Sequence, residues 1–134
     1  IQINFYPLFL DGSFGKVLSD SGIEERGELI EKEFIADPGN AAKRAAWNAV
    51  QAELQALPRP SYKLIADHID HVVSLVGIDH VGLGSDYDGI EVTPDGMEDV
   101  SMMPRLFEEL RNRGYSEADL AKIASENFFR VLNK

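Results

Sequence analysis

The sequence predicts an α/β fold in which two parallel strands are joined by a helical crossover and covered by helices. Three observations carry this. "IQINFY" alternates Ile1, Ile3 and Phe5 with Gln2, Asn4 and Tyr6, the period of two expected of a strand. "IDHVGLGSD", residues 78 to 86, is a second apolar run closed by turn residues. Between them, "YKLIADHIDHVVSLVG" has helical periodicity and is joined to the strand within the second run by only two or three residues. A strand, a helical crossover and a second strand demand parallel pairing.

Taken in order, Pro7 ends the first strand because it has no N–H to donate to a ladder. From Asp11 to Gly22 the chain is rich in Gly, Ser and Asp and reads as a mobile surface loop. Residues from about Ile23 to Leu57 are dense in Ala, Glu, Lys, Arg and Gln, which predicts two helices broken at Pro38 and Gly39. The second carries Ala42, Ala45, Ala46, Ala49, Val50 and Leu54 on one side, with Trp47 near its middle. Residues from about 11 to 60 thus form a loop and helical insertion after the first strand. Ser61 is a cap for the crossover helix, whose stripe is Ile65, Ile69, Val72, Val73 and Val76 and whose stop is Gly77.

Beyond the second strand the chain reads as helical. "SMMPRLFEELRNRG" has Ser101 as cap, Pro104 in its first turn and Gly114 as stop. "SEAD", 116 to 119, has the spacing of a capping box, and Leu120, Ile123, Ala124, Phe128 and Val131 are expected to face inward behind it. Two parallel strands do not make a stable sheet unaided, so the chain is expected to be a piece of a larger sheet. Its start, without Met or a basic leader region, reads as a cut.

Composition excludes several function classes. Thirteen Lys and Arg against 23 Asp and Glu give a net charge of −10, which repels nucleic-acid phosphates and anionic membrane surfaces. There is no cysteine, so disulfides and thiolate metal sites are absent. No apolar run reaches the roughly 18 residues of a membrane span, and the compartment stays open, with a lean toward the cytoplasm.

The chemistry-bearing stretch is "GSDYDGI", 84 to 90, where Asp86 and Asp88 follow a core strand. In barrels and open α/β sheets, ligands bind beyond the carboxyl ends of the strands. One acid of the two is expected to face a site, and Asp86, which would sit at that strand end, is the candidate. Asp88 is expected to order the following loop; the bland alternative is that both acids cap a turn. A helix-loop-helix calcium site is rejected, because Gly89 falls at its fourth position rather than its sixth. His68 and His71 lie three apart, about 60° on a helical wheel, close enough to share a metal. The apolar stripe, however, puts His71 on the solvent side and His68 at its edge. His80 lies at the opposite strand end. Gly82, Gly84 and Gly89 form no nucleotide fingerprint, because no helix starts behind them. Asn127 and Arg130 are expected to bridge chain segments structurally.

Three segments, "INFYPLF", "ADHIDHVVSLVGIDHVGLGSDYDGI" and "PDGMEDVSMMPRLFEELRNRGYSEADLAKIASENFFRVL", closely resemble the C-terminal part of the membrane (renal-type) dipeptidase family of zinc metallopeptidases. The resemblance covers the start of the chain and nearly everything from Ile65 onward. The segment from Asp11 to Arg59 is similar to the longer helical insertion of bacterial members. The resemblance implies a TIM (β/α)8 barrel of the metal-dependent hydrolase type, of which residues 1–134 would be the last two β/α units plus the insertion. It implies two zinc ions, whose His, Asp and Glu ligands would all lie upstream, with no metal ligand in this chain.

By motif match, Asp86 corresponds to the family's active-site Asp at the end of the eighth strand. The resemblance implies that it binds the free amino group of a small dipeptide and handles a proton on the tetrahedral intermediate or the leaving amine. Phe9 matches a substrate-pocket position and Tyr6 is expected to contribute to the same wall; the alternative is that both are packing residues. The intact protein is then expected to be a zinc dipeptidase and a homo-oligomer, partnered here by the missing N-terminal part of its barrel, and the isolated chain is expected to be inactive. The alternative is a non-catalytic barrel remnant that acts as an interaction module through its open sheet edges.

Overall fold

The computed structural model describes residues 1–133. The first strand, β1, spans Gln2–Asn4. Pro7 starts the short helix α1, Pro7–Leu10, where its missing N–H costs nothing. Then come α2, Phe14–Ser21, α3, Ile23–Ala36, and α4, Ala41–Gln55. The crossover helix α5, Lys63–Val76, leads through a 3-10 turn, Ile78–His80, into β2, Gly82–Gly84. The two strands pair in parallel, with Gln2 opposite Gly82 and Asn4 opposite Gly84, as a βαβ connection requires. A long loop follows β2. A 3-10 turn, Val100–Met102, then opens α6, Met103–Asn112. The chain ends in α7, Glu117–Ala121, a π-helical turn, Lys122–Glu126, and α8, Asn127–Leu132.

Two cores divide the molecule. The larger packs the sheet against α5, α6 and α7 and is centred on Phe5, Ile65, Ile69, Leu106 and Leu110, all wholly buried. The smaller lies under the insertion and joins Phe14, Leu18, Ile23, Val50 and Leu54 to Val92 of the loop after β2. That loop therefore touches both cores. Its far end is bridged to the start of the crossover helix by Ser61 and Asp95, and Tyr62 N–H donates to the Asp95 carbonyl at 3.0 Å.

Several expectations hold in detail. Asn40 caps α4 by accepting the N–H groups of Ala42 and Lys43, immediately after the break at Pro38 and Gly39. Ser61 Oγ accepts Lys63 N–H, Gly77 ends α5, and Ser116 and Asp119 form the predicted capping box. Asn127 is a structural bridge: its Nδ2 donates to the carbonyls of Ile78 and Val81 at 2.7 and 2.8 Å. Arg130 likewise donates to the Asp79 carbonyl.

Three expectations are corrected. Residues 11–22 are not a loop, because Phe14 and Leu18, four apart, bury one face of α2; the Gly, Ser and Asp residues serve its ends. The alanine side of α4 faces solvent, and the buried face is Val50 and Leu54, flanked by half-buried Trp47. In the last helix, Leu120 and Ile123 face inward, but Ala124, Phe128 and Val131 are exposed. The π turn carries one extra residue per turn, so the apolar stripe read at the α-helical period loses its register. Asn127 takes the inward position instead.

Candidate active site

Gly82 and Gly84 allow the close approach that builds the site. A Cβ at Gly82 would meet Gln2 Oε1 at 2.8 Å, and one at Gly84 would meet Gln2 Cβ at 3.0 Å. These glycines admit the neighbouring strand's side chain. The pairing brings Asn4 and Gly84 to the same carboxyl end of the sheet. Two residues beyond, Asp86 turns the chain with φ 61° and is the sole non-glycine residue with positive φ among those described.

Left-handed backbone is unfavourable for most residues and tolerated better by Asp and Asn. Two hydrogen bonds hold Asp86 there, and a third fixes its partner Asn4. Asn4 Nδ2 donates to Asp86 Oδ2 at 3.0 Å, and Asn4 Oδ1 accepts Tyr6 N–H at 2.7 Å. Gly89 N–H donates to the Asp86 carbonyl at 2.9 Å. A Cβ at Gly89 would lie only 2.4 Å from Asp86 Oδ1, so the carboxylate occupies the space that Gly89 leaves. The result is an exposed carboxylate at the strand ends, with one oxygen committed to an amide and backbone strain retained at that point. Chemically it can accept hydrogen bonds from an ammonium and exchange a proton with a bound amine.

Asp88 is exposed and, among the described residues, makes no side-chain hydrogen bond, so it is not what orders the loop. That work falls to other groups. Tyr87 packs edge-on against Phe5, with ring centroids 5.9 Å apart, and its hydroxyl donates to the Asp99 carbonyl at 3.0 Å. Burial, with Asp99 and Glu98 nearby, pushes the Tyr87 phenol up to about 12. Arg59 reaches under the loop and donates to Gln55 Oε1, to the Thr93 carbonyl and to Glu98 Oε1. Burial works to raise the Glu98 carboxyl, but the N–H groups of Gly96 and Glu98 and the Arg59 guanidinium outweigh it and hold it below the usual range.

Tyr6 and Phe9 form an edge-on pair with centroids 5.4 Å apart. Phe9 is two-thirds exposed, whereas the Tyr6 ring packs on the insertion core and lines a cavity beneath α3 and α4. The geometry therefore ties Tyr6 to Asp86 through its backbone N–H and Asn4. His68 Nε2 lies 3.1 Å from the Leu10 carbonyl, and His71 is exposed. Among the described residues, no three His, Cys, Asp or Glu side chains are grouped to hold a metal. Reasoning from sequence missed Asn4, Gly89 and Arg59. Asn4 was in view as the polar partner in an alternating strand, but the cross-strand pairing that aims it at Asp86 is tertiary information.

The whole chain, residues 1–134, matches the family model described as membrane dipeptidase, peptidase family M19. It is 41% identical over its full length to Dipeptidase 3 of Homo sapiens and to Dipeptidase 3 of Macaca fascicularis, covering 26% of each. It is 52% identical over 68 residues to Dipeptidase aclJ of Aspergillus oryzae, which is 51% of this chain and 16% of that one. The crystal structure of the probable dipeptidase PvdM from Pseudomonas aeruginosa superposes with a TM-score of 0.62 at 30% identity, over 97% of this chain and 35% of that one. The chain thus spans about a quarter to a third of the length of the full-length matches.

Proposed function

The chain belongs to the membrane dipeptidase family, peptidase family M19, and from that premise we propose that it is the C-terminal part of a zinc-dependent dipeptidase acting on small dipeptides. Its two strands would be the last two of a (β/α)8 barrel, with residues from about 11 to 60 inserted between them. The observation that carries this reading is the Asp86 carboxylate, exposed at the carboxyl end of β2 and oriented by Asn4 across the strand pair. Ligand sites of such barrels lie at this end.

Asp86 would bind the ammonium of the substrate by charge-assisted hydrogen bonds and hold or release a proton at the departing nitrogen. The oxygen already bonded to Asn4 fixes the carboxylate's orientation, and the other is left for the substrate. Phe9 would offer an apolar wall, with Tyr6 buttressing it edge-on. Zinc ligands would be supplied by the rest of the barrel, since the described residues do not group into a metal site. For that reason the isolated chain is expected to be inactive. The exposed Ile1, Val76, Phe128 and Val131, which surround a hollow at the amino ends of the strands, are the face such a remainder would cover.

The test is dipeptide hydrolysis with added zinc, by the chain alone and by the complete protein. Turnover only in the complete protein, abolished by Asp86→Asn, supports the reading; turnover unaffected by that substitution refutes the role of Asp86. The open edges of the two-stranded sheet favour a second reading, a non-catalytic module that pairs with another chain or another copy. A monomer on size-exclusion chromatography with cooperative unfolding would count against both the unfinished barrel and edge pairing. No helix among the described residues is long and apolar enough to cross a membrane.

A further inference from the structure

The helical insertion encloses a second concavity, a cavity of about 190 Å³ between α3, α4 and the loop after β2. Its floor is apolar: Leu18, Ile23, Val50, Leu54 and Val92, with Trp47 at one side. Its remaining lining includes the carboxylates of Glu24, Glu28, Glu31 and Glu91, and no Lys, Arg or His side chain contributes. Glu28 has Lys32 at 3.7 Å, while among the described residues Glu24, Glu31 and Glu91 have no basic side chain within 4.0 Å.

Two features shape the cavity wall. Gly27 sits in the interior of α3, where glycine is less favourable than alanine by roughly 1 kcal/mol. It is buried, and a Cβ there would stand 3.4 Å from Val50 Cγ1, in ordinary contact, so α3 packs against α4 at this point with no side chain between them. The Tyr6 phenol, on the same wall, is raised by burial and then by the charges of Glu91 and Glu24, so the two carboxylates act on one point from opposite elements. An apolar floor under unneutralised carboxylates is complementary to a ligand with an apolar body and a positive head.

We propose that this cavity binds a small organic cation, a primary amine on an aromatic body, with the body on Leu18, Val50 and Leu54 beside Trp47 and the ammonium between Glu24 and Glu91. Binding would join the insertion to the loop that carries Asp86, through Glu91 and Val92. The inference does not depend on the dipeptidase reading, since Asp86 takes no part in it.

Trp47 is the sole tryptophan and reports the cavity directly. The full 134-residue chain is titrated with phenethylamine, and Trp47 fluorescence is followed. The expected result is a saturable change, with 3-phenylpropionate, of similar size and opposite charge, giving none over the same range. The double variant Glu24→Gln, Glu91→Gln should weaken phenethylamine binding by on the order of tenfold or more. Gly27→Leu should abolish it by filling the space; should that variant lose its far-ultraviolet helical signal, the glutamine variant decides alone. Saturation by the amine and the acid at equal concentration, saturation by neither, or wild-type affinity in the glutamine variant each overturn the proposal.

Discussion

The side-chain amide of Asn4 donates to the carboxylate of Asp86 at 3.0 Å, across the carboxyl ends of two paired strands. Its oxygen simultaneously receives Tyr6 N–H, so one side chain sets the exit of β1 and the direction of the acid that follows β2. Replacing Asn4 with Ala removes both contacts. Because the pair is exposed, the expected cost is about 1 kcal/mol in a urea unfolding experiment, below the range of bonds to a buried charged group. A change below a few tenths would show that the contact is incidental.

Asp86→Asn separates chemistry from architecture. Asparagine accepts the left-handed φ of 61°, and its amide oxygen can still receive the Asn4 amide. Stability of the chain should therefore stay within about 0.5 kcal/mol of the parent, as is usual for exposed substitutions that break no such feature. Turnover by the complete protein should fall by about 10²-fold or more, the range expected when an acid–base group is lost. Equal loss of stability and turnover would mark Asp86 as structural.

Gly89→Ala tests the space around the same carboxylate. The new Cβ would stand 2.4 Å from Asp86 Oδ1, so either the side chain or the loop has to move. An expected destabilisation of about 1 to 2 kcal/mol follows from overpacking. Asp86→Gly removes the opposing atoms and relieves the positive φ, so the double variant should be more stable than the sum of the two single changes predicts. Strict additivity would mean that the two residues do not press on each other.

Much of this was legible from the chain itself. The alternation in "IQINFY", the break at Pro38 and Gly39, the capping box at Ser116 and the stop at Gly77 are local signals, and the structure follows them. Asp86 was legible for the same reason, since an acid after an apolar run points to a strand end. What was not legible depended on distant partners. The face of α4 was misread because alanines tolerate either side, and Val50 and Leu54 alone meet the insertion core. Helix α2 was hidden by its Gly, Ser and Asp residues, although Phe14 and Leu18 carried the spacing. The π turn was invisible because Asn127, the residue that follows it, meets its partners, the carbonyls of Ile78 and Val81, 46 to 49 residues away in sequence.

The anchoring of the loop behind Asp86 should depend on pH through Glu98. Its carboxyl is held below the ordinary glutamate value of 4.5, so the folded state binds its proton less readily than the unfolded chain. A depressed carboxyl stabilises the fold above the ordinary value, and that contribution is lost as pH falls from about 4.5 through the folded value. With the side chain 45% exposed, solvent screening keeps the effect small. Gly96 N–H donates to Glu98 Oε1 at 2.8 Å, so the Gly96 amide resonance should titrate in that acidic window and lose the titration in Glu98→Gln. The variant should unfold at a lower temperature than the parent at pH 7, and the difference should shrink as pH falls below about 4.5. A gap that persists in acid would place the effect in shape rather than charge.

Asn127 should be among the most costly polar residues to replace. It is 7% exposed, and its amide nitrogen satisfies the carbonyls of both Ile78 and Val81, the residues that carry the chain from the crossover helix into β2. Leucine at this position would leave two carbonyls without a donor in a site where water has little access. Losing one such bond typically costs about 1 to 3 kcal/mol because the remaining group stays desolvated. Asn127→Leu is therefore expected to cost about 2 to 4 kcal/mol in chemical denaturation, and Asn127→Asp to cost at least as much, since a carboxylate would face two carbonyl oxygens. The π turn, which ends at Asn127, is expected to be lost with that nitrogen. Residues 122–126 should then relax toward the α-helical period, turning Phe128 and Val131 toward the positions that the apolar pattern predicts. Amide exchange reads this directly: protection should fall at Ile78 to Val81 and rise around Val131. A variant that is destabilised with unchanged exchange along the last helix would show that the turn is held by something other than this amide.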